Sequence, residues 1–125
     1  MKLSKANIEK EAERIIRGVL EKVPDLKNLK VTRPTRLAGA QPDLQLAFQK
    51  QKVRQSLLVE VKSAGQPRYA REAVNQLLAL KAESPAAYGV FIAPYISEAS
   101  AGICKDNGIG YADLAGNCRL NFDSV

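Results

Sequence analysis

"PDLQLAFQKQKVRQSLLVEVK", residues 42–62, decides the fold of this chain. Leu44, Leu46 and Phe48 alternate with Gln45 and Ala47, the period-2 pattern of a strand with one buried side. A basic stretch at 49–55 reads as a connecting turn, and 56–62 forms a second strand that buries Val59 and Val61. So short a link makes the two strands antiparallel. Charge is out of place in this pattern. Asp43 opens the first strand, and Glu60 and Lys62 interrupt the second, although acidic residues are depleted in strands and charges are seldom buried unpaired. Residues two apart in a strand share a face, so Glu60 and Lys62 are neighbours. With the turn centred near Lys52 or Val53, Asp43 falls opposite residues 61–63. Two carboxylates and an amine then converge at one end of the hairpin.

Upstream, Ile8, Ala12, Ile15, Ile16, Val19, Leu20 and Val23 recur at helical spacing and predict an amphipathic helix over 5–23, with Ser4 as cap and Pro24 past its end. Residues 28–37 read as a weak strand with Leu29, Val31 and Leu37 as apolar points, and Pro34 within it suggests an edge or a bulge. Downstream, Pro67 suits the first turn of a helix running to about Ser84, its core stripe Ala70, Ala73, Val74, Leu77 and Leu78. The apolar run 87–95 reads as a central strand covered on both faces. A short helix over 97–107 has Ser97 as cap and Gly108 just past its end, and 109–122 reads as strand, turn at Gly116–Asn117, strand. The order αβββαβαβ predicts an α/β fold, a mixed sheet with helices on both faces, in a single domain over 1–125.

Composition narrows the chemistry. No apolar run is long enough to span a membrane and the N-terminus lacks the pattern of a secretory signal, so a cytoplasmic protein is expected. Net charge is +6. Residues 1–36 carry ten Lys and Arg against five Asp and Glu, and 82–125 carry two against five. That asymmetry suggests a side that faces a polyanion. The chain has no histidine and two cysteines, Cys104 and Cys118, which read as buried free thiols. Four zinc ligands of the nitrogen or sulfur kind cannot be assembled, and a nucleophile with a histidine base is excluded. What is left is chemistry by carboxylates, Lys, Arg, Tyr or a hard metal ion.

Close carboxylates repel unless a cation lies between them. Lys62 supplies one, which would make the cluster a structural ion pair. A divalent ion supplies another, and Mg²⁺ suits hard oxygen ligands, taking one or two carboxylates and keeping several waters. With a metal, an acidified water and a basic flank, phosphodiester hydrolysis is the natural reaction.

"PD" at 42–43 and "EVK" at 60–62, on two antiparallel strands between an amphipathic helix and a helix–strand pair, resemble the signature of the PD-(D/E)xK nuclease superfamily. Restriction endonucleases and Holliday-junction resolvases belong to it. The resemblance implies a restriction endonuclease-like αβββαβ core over residues 5–95 and a Mg²⁺-dependent nuclease, with Mn²⁺ as substitute, acting as a DNA endonuclease. By position it implies that Asp43 and Glu60 ligate the metal with the Val61 main-chain carbonyl, and that Lys62 positions the water. A Glu of the first helix (Glu9, Glu11 or Glu13) and Gln76 on the following helix are further candidates. Lys50, Lys52, Arg54, Arg68 and Arg71 are candidate phosphate contacts, and a homodimer would cut both strands. "GIGYADLAGN" at 108–117 also resembles a segment of some members, without an assigned chemistry. The alternatives are a nuclease-fold module that binds DNA or a protein without cutting, and an interaction domain with an incidental ion pair.

Overall fold

The computed structural model describes residues 5–34 and 41–121. Ser4, Leu37 and Phe122 lie outside them. The elements are α1 (Lys5–Glu21), β1 (Leu26–Thr32), β2 (Leu44–Lys50), β3 (Val53–Val61), α2 (Pro67–Glu83), β4 (Tyr88–Ala93), α3 (Glu98–Asp106), β5 (Gly110–Asp113) and β6 (Cys118–Arg119).

The hairpin is tighter than its basic stretch suggests. β2 and β3 pair from Lys50↔Val53 to Leu44↔Val59, so only Gln51 and Lys52 form the turn. Both have positive φ, 52° and 69°, as in the type I′ turns whose twist matches the strands they join. Residues 49–55 are therefore mostly strand. Such turns favour Asn and Gly, and their absence hid this one. β1 begins two residues before its expected start and ends at Thr32, short of Pro34. It is an edge strand with a register shift between Lys27 and Lys30, where Asn28 has φ 60°.

The six strands lie in chain order. β1, β2 and β3 are antiparallel, β3, β4 and β5 are parallel through the helical crossovers, and β6 returns antiparallel. This is a mixed sheet with helices on both faces, as the element order requires. On one face Ile8, Ala12, Ile16 and Leu20 of α1 pack with Leu44, Leu46, Leu57, Val59 and Val61. On the other, α2 and α3 pack with Leu58, Phe91 and Ile109. Each fully buried Leu or Val contributes about 1.5–3 kcal/mol, and β3 and β4 are both lined by core side chains on their two faces. One stripe residue moves. Leu78 is 39% exposed, and Leu80, three residues on from Leu77, is buried instead.

Ser97 caps α3, its hydroxyl accepting the Ser100 N–H at 3.2 Å, and Gly108 follows the helix at φ 68°. Both cysteines are free, but only Cys104 is buried; Cys118 lies exposed on the edge strand β6. Among the described residues no helix is long and apolar enough to cross a membrane.

Candidate active site

The Pro-Asp pair ends the β2–β3 ladder. Leu44 pairs with Val59, yet the Asp43 N–H donates to the Val59 carbonyl at 2.9 Å. Two residues of one strand thus face one residue of the other, the count of a β-bulge, which re-aims a side chain. The Asp43 carboxylate turns back along β3, and its Oδ2 accepts the Val61 N–H at 2.8 Å. Pro42, buried beside it, has no N–H to leave unsatisfied where the ladder stops. The turn centred between Gln51 and Lys52 would set the Asp43 main chain opposite residue 60, and the bulge moves it to residue 59, rather than 61–63. Its carboxylate still reaches Val61.

Glu60 is only 3% exposed and Asp43 8%. Glu60 alternates with Val59 and Val61 and so shares the face of Leu58, beneath α2. The Lys62 N–H donates to the Ile92 carbonyl at 3.0 Å, carrying the parallel pairing one residue past β3. Its ammonium makes an ion pair with Glu72 of α2, Nζ to Oε1 2.7 Å. Glu72 was not legible as part of the cluster from the sequence. The only signal was its place in the first turns of the helix that follows the motif.

Among the described residues no group of three or more His, Cys, Asp or Glu side chains gathers to hold a metal. The hard oxygen donors here are the two carboxylates, with the Val61 main chain between them. A carboxylate has about four acceptor sites, so the Val61 N–H by itself does not saturate Asp43. Two carboxylates plus water suit Mg²⁺. The first-helix candidates stand apart. α1 covers the face opposite to Glu60, Glu11 pairs with Arg14, and Glu13 pairs with Arg17 and Arg33. Glu9 is half-buried on the same helix. Gln76 is exposed, one turn beyond Glu72 on α2.

The basic candidates fall into two groups. Arg68 and Arg71 are exposed on the first turns of α2, close in the chain to Lys62, and the Arg68 guanidinium lies 5.0 Å from the Tyr69 ring centre. Lys52 and Arg54 are exposed at the turn end of the hairpin, roughly 26 and 20 Å from Glu60 at about 3.3 Å per strand residue. The structure does not bring them to the carboxylates. Arg54, Ser56, Leu58 and Glu60 nonetheless share one face of β3. α2 packs on β3 and β4, and on the adjoining β2 Gln45 and Ala47 are exposed. This open floor continues to Lys30 of β1, which pairs with Ala47 and lines a shallow hollow with Gln49 and Arg54. Lys30 was missed because its strand was too weak to assign a face.

The segment "GIGYADLAGN" has a structural explanation. Asp113 is 2% exposed at the end of β5. Its Oδ1 accepts the N–H groups of Ala115 and Asn117 at 3.0 and 2.9 Å, and its Oδ2 accepts Ile96 N–H and Asn117 Nδ2 at 3.0 and 2.9 Å. One carboxylate clamps the loop after β4 to the turn after β5. Next to Ile96, the Tyr95 carbonyl lies so close to Gly65 that a Cβ there would overlap it. The clamp thus braces the loop that follows Lys62.

No family model matches the chain, and no curated protein matches it. Solved structures do. A repair endonuclease from Pyrococcus abyssi superposes with a TM-score of 0.56 at 14% identity, over 91% of this chain and 48% of that one. EndoMS in its apo form gives 0.53 at 16% identity, over 91% and 47%. The EndoMS–dsDNA complex gives 0.50 at 16%, over 87% and 46%. The chain shares their fold. It spans about half the length of each of these proteins.

Proposed function

We propose that this chain is a divalent-metal-dependent nuclease that hydrolyses phosphodiester bonds within DNA. The observation that carries the proposal is the pair of buried carboxylates, Asp43 and Glu60, tied together through Val61 and followed at once by Lys62. Two carboxylates at adjoining strand ends repel each other, and a divalent cation bound between them relieves that repulsion. Support comes from the fold shared with a repair endonuclease and with EndoMS, the latter also solved in a complex with double-stranded DNA, and from the basic floor that leads from Lys30 and Arg54 toward the carboxylates.

In this reading Asp43, Glu60 and the Val61 carbonyl would hold Mg²⁺, or Mn²⁺ in its place. The ion, when bound, acidifies a water and offsets phosphate charge. The Lys62 ammonium donates hydrogen bonds to the attacking water and to the phosphate oxygen on which charge grows, an interaction that strengthens toward the transition state. Gln76 is assigned a polar contact to the same strand one turn along α2. Arg68 and Arg71 neutralise phosphates beside the scissile bond, and Lys52 and Arg54 neutralise more distant ones. Cutting both strands of a duplex calls for two such sites and hence a homodimer.

The test is nicking of supercoiled plasmid, and cleavage of single-stranded and branched DNA, with Mg²⁺, with Mn²⁺ and with EDTA. Metal-dependent cleavage is expected. Cleavage that survives EDTA refutes the metal's role. Binding without cleavage of any form refutes the enzyme.

A further inference from the structure

The Lys62 side chain is held at both ends. Its backbone N–H is bonded to Ile92, and its ammonium touches Glu72 at 2.7 Å. The side chain is only 12% exposed, although a lysine with its flexible stem normally reaches for water. Glu72 is well placed to fix it. It lies on α2 between Ala70 and Ala73, whose side chains are fully buried, so the helix presenting its carboxylate is anchored in the core. The carboxylate itself is 54% exposed, and an ion pair that open to solvent adds little to folding. Its geometry therefore points away from a stability role. An ammonium has three N–H donors, so one bond to Glu72 leaves the others to be aimed.

We propose that Glu72 is a positioning residue for phosphodiester cleavage: it fixes the direction of the Lys62 ammonium and so aims its remaining donors at the water and the phosphate. This rests on the nuclease reading above. Glu72 acts through Lys62 and touches no reacting atom. A displacement of about 1 Å in an aligning group costs on the order of a hundredfold in rate.

Three proteins decide it: wild type, Glu72→Ala and Glu72→Gln. Glu72→Ala should lower kcat for nicking by about tenfold to a hundredfold, with KM, Mn²⁺ affinity and Tm unchanged. Glu72→Gln keeps an acceptor oxygen and should return most of the lost rate. Independently of cleavage, the Lys62 ammonium should give a discrete ¹⁵N-edited proton resonance, identified by its absence in Lys62→Ala. It should be retained in Glu72→Gln and lost to solvent exchange in Glu72→Ala. Wild-type kcat in Glu72→Ala overturns the proposal, as does a loss equal in both variants that follows a fall in Tm. If the wild type cuts nothing, the nuclease reading fails by itself. The resonance then decides whether Glu72 fixes Lys62, and an unchanged signal in Glu72→Ala overturns that too.

Discussion

The Asp43 carboxylate accepts the Val61 N–H at 2.8 Å, so the acid that opens one strand is bonded between Glu60 and Lys62 of the next. Asp43 therefore has a structural duty apart from any cation. Substitution can separate the two. Asp43→Asn keeps an acceptor for Val61 and should hold Tm near the original while Mn²⁺ binding and nicking disappear. Asp43→Ala leaves the buried N–H without its partner and should also lose roughly 1–3 kcal/mol of stability. Calorimetry for Tm and for Mn²⁺ binding reads both effects.

Lys62→Ala should leave Mn²⁺ binding intact and lower the nicking rate at least tenfold, since a charge-assisted hydrogen bond is worth about 1.5–3 kcal/mol. If Lys62 is only half of a surface ion pair, the same change leaves the rate alone. Nicking and Mn²⁺ titration on one preparation distinguish the two.

Binding to DNA should fall steeply with salt. Neutralising about six phosphates costs on the order of a thousandfold in affinity between 50 and 200 mM salt. Because Arg54 and Lys30 lie far from the carboxylates, replacing both with Gln should flatten that slope and weaken binding while kcat at saturating DNA is preserved. A slope unchanged in the double variant removes the hairpin floor from the interface.

The turn offers a gain in stability. Gln51 and Lys52 both hold positive φ, a conformation that costs an L-residue roughly 1–2 kcal/mol. Gln51→Asn with Lys52→Gly should stabilise the fold by about 1 kcal/mol, several degrees in Tm. A lower Tm would mean that these side chains contribute more than the strain they impose.

Thiol reactivity tests the placement of the two cysteines. Burial pushes the Cys104 thiol up to about 11, so at pH 8 the reactive thiolate is on the order of a thousandth of the population. Cys118 is raised as well, by local burial and then by the charge of Asp113, but it is exposed. A disulfide reagent at pH 8 should modify one thiol in the native protein and the second only on unfolding, with the rate at Cys104 rising as pH approaches 11.

The hairpin, the crossover helix and the buried fourth strand were legible because Leu44, Leu46, Phe48, Val59 and Val61 carry clean periodicities that the core enforces. The cluster was legible for the opposite reason: Asp43, Glu60 and Lys62 break those periodicities. What stayed hidden depends on geometry that side-chain type does not encode. Gln51 and Lys52 adopt a turn that neither favours locally, because the strands on each side impose it. The bulge at Asp43 departs from that register by one residue, and residue type alone does not mark it. Glu72 resembles any solvated helix residue until α2 is docked. Asp113 could not be distinguished from an exposed turn residue before the loop of Ile96 was placed beside it.

The Asp113 clamp also has a consequence in time. Asp43, Glu60 and Lys62 are all synthesised early, yet the loop after Lys62 is braced by Tyr95, and the loop of Tyr95 by Asp113 at the end of the fifth strand. Until Asp113 is added, the loop of Tyr95 lacks the carboxylate that fixes it, and the brace on the loop after Lys62 is incomplete. A growing chain therefore carries Asp43, Glu60 and Lys62 well before that brace is complete. The clamp closes only with the end of β5, and a chain interrupted before Asp113 would carry the motif without the brace on the loop behind it.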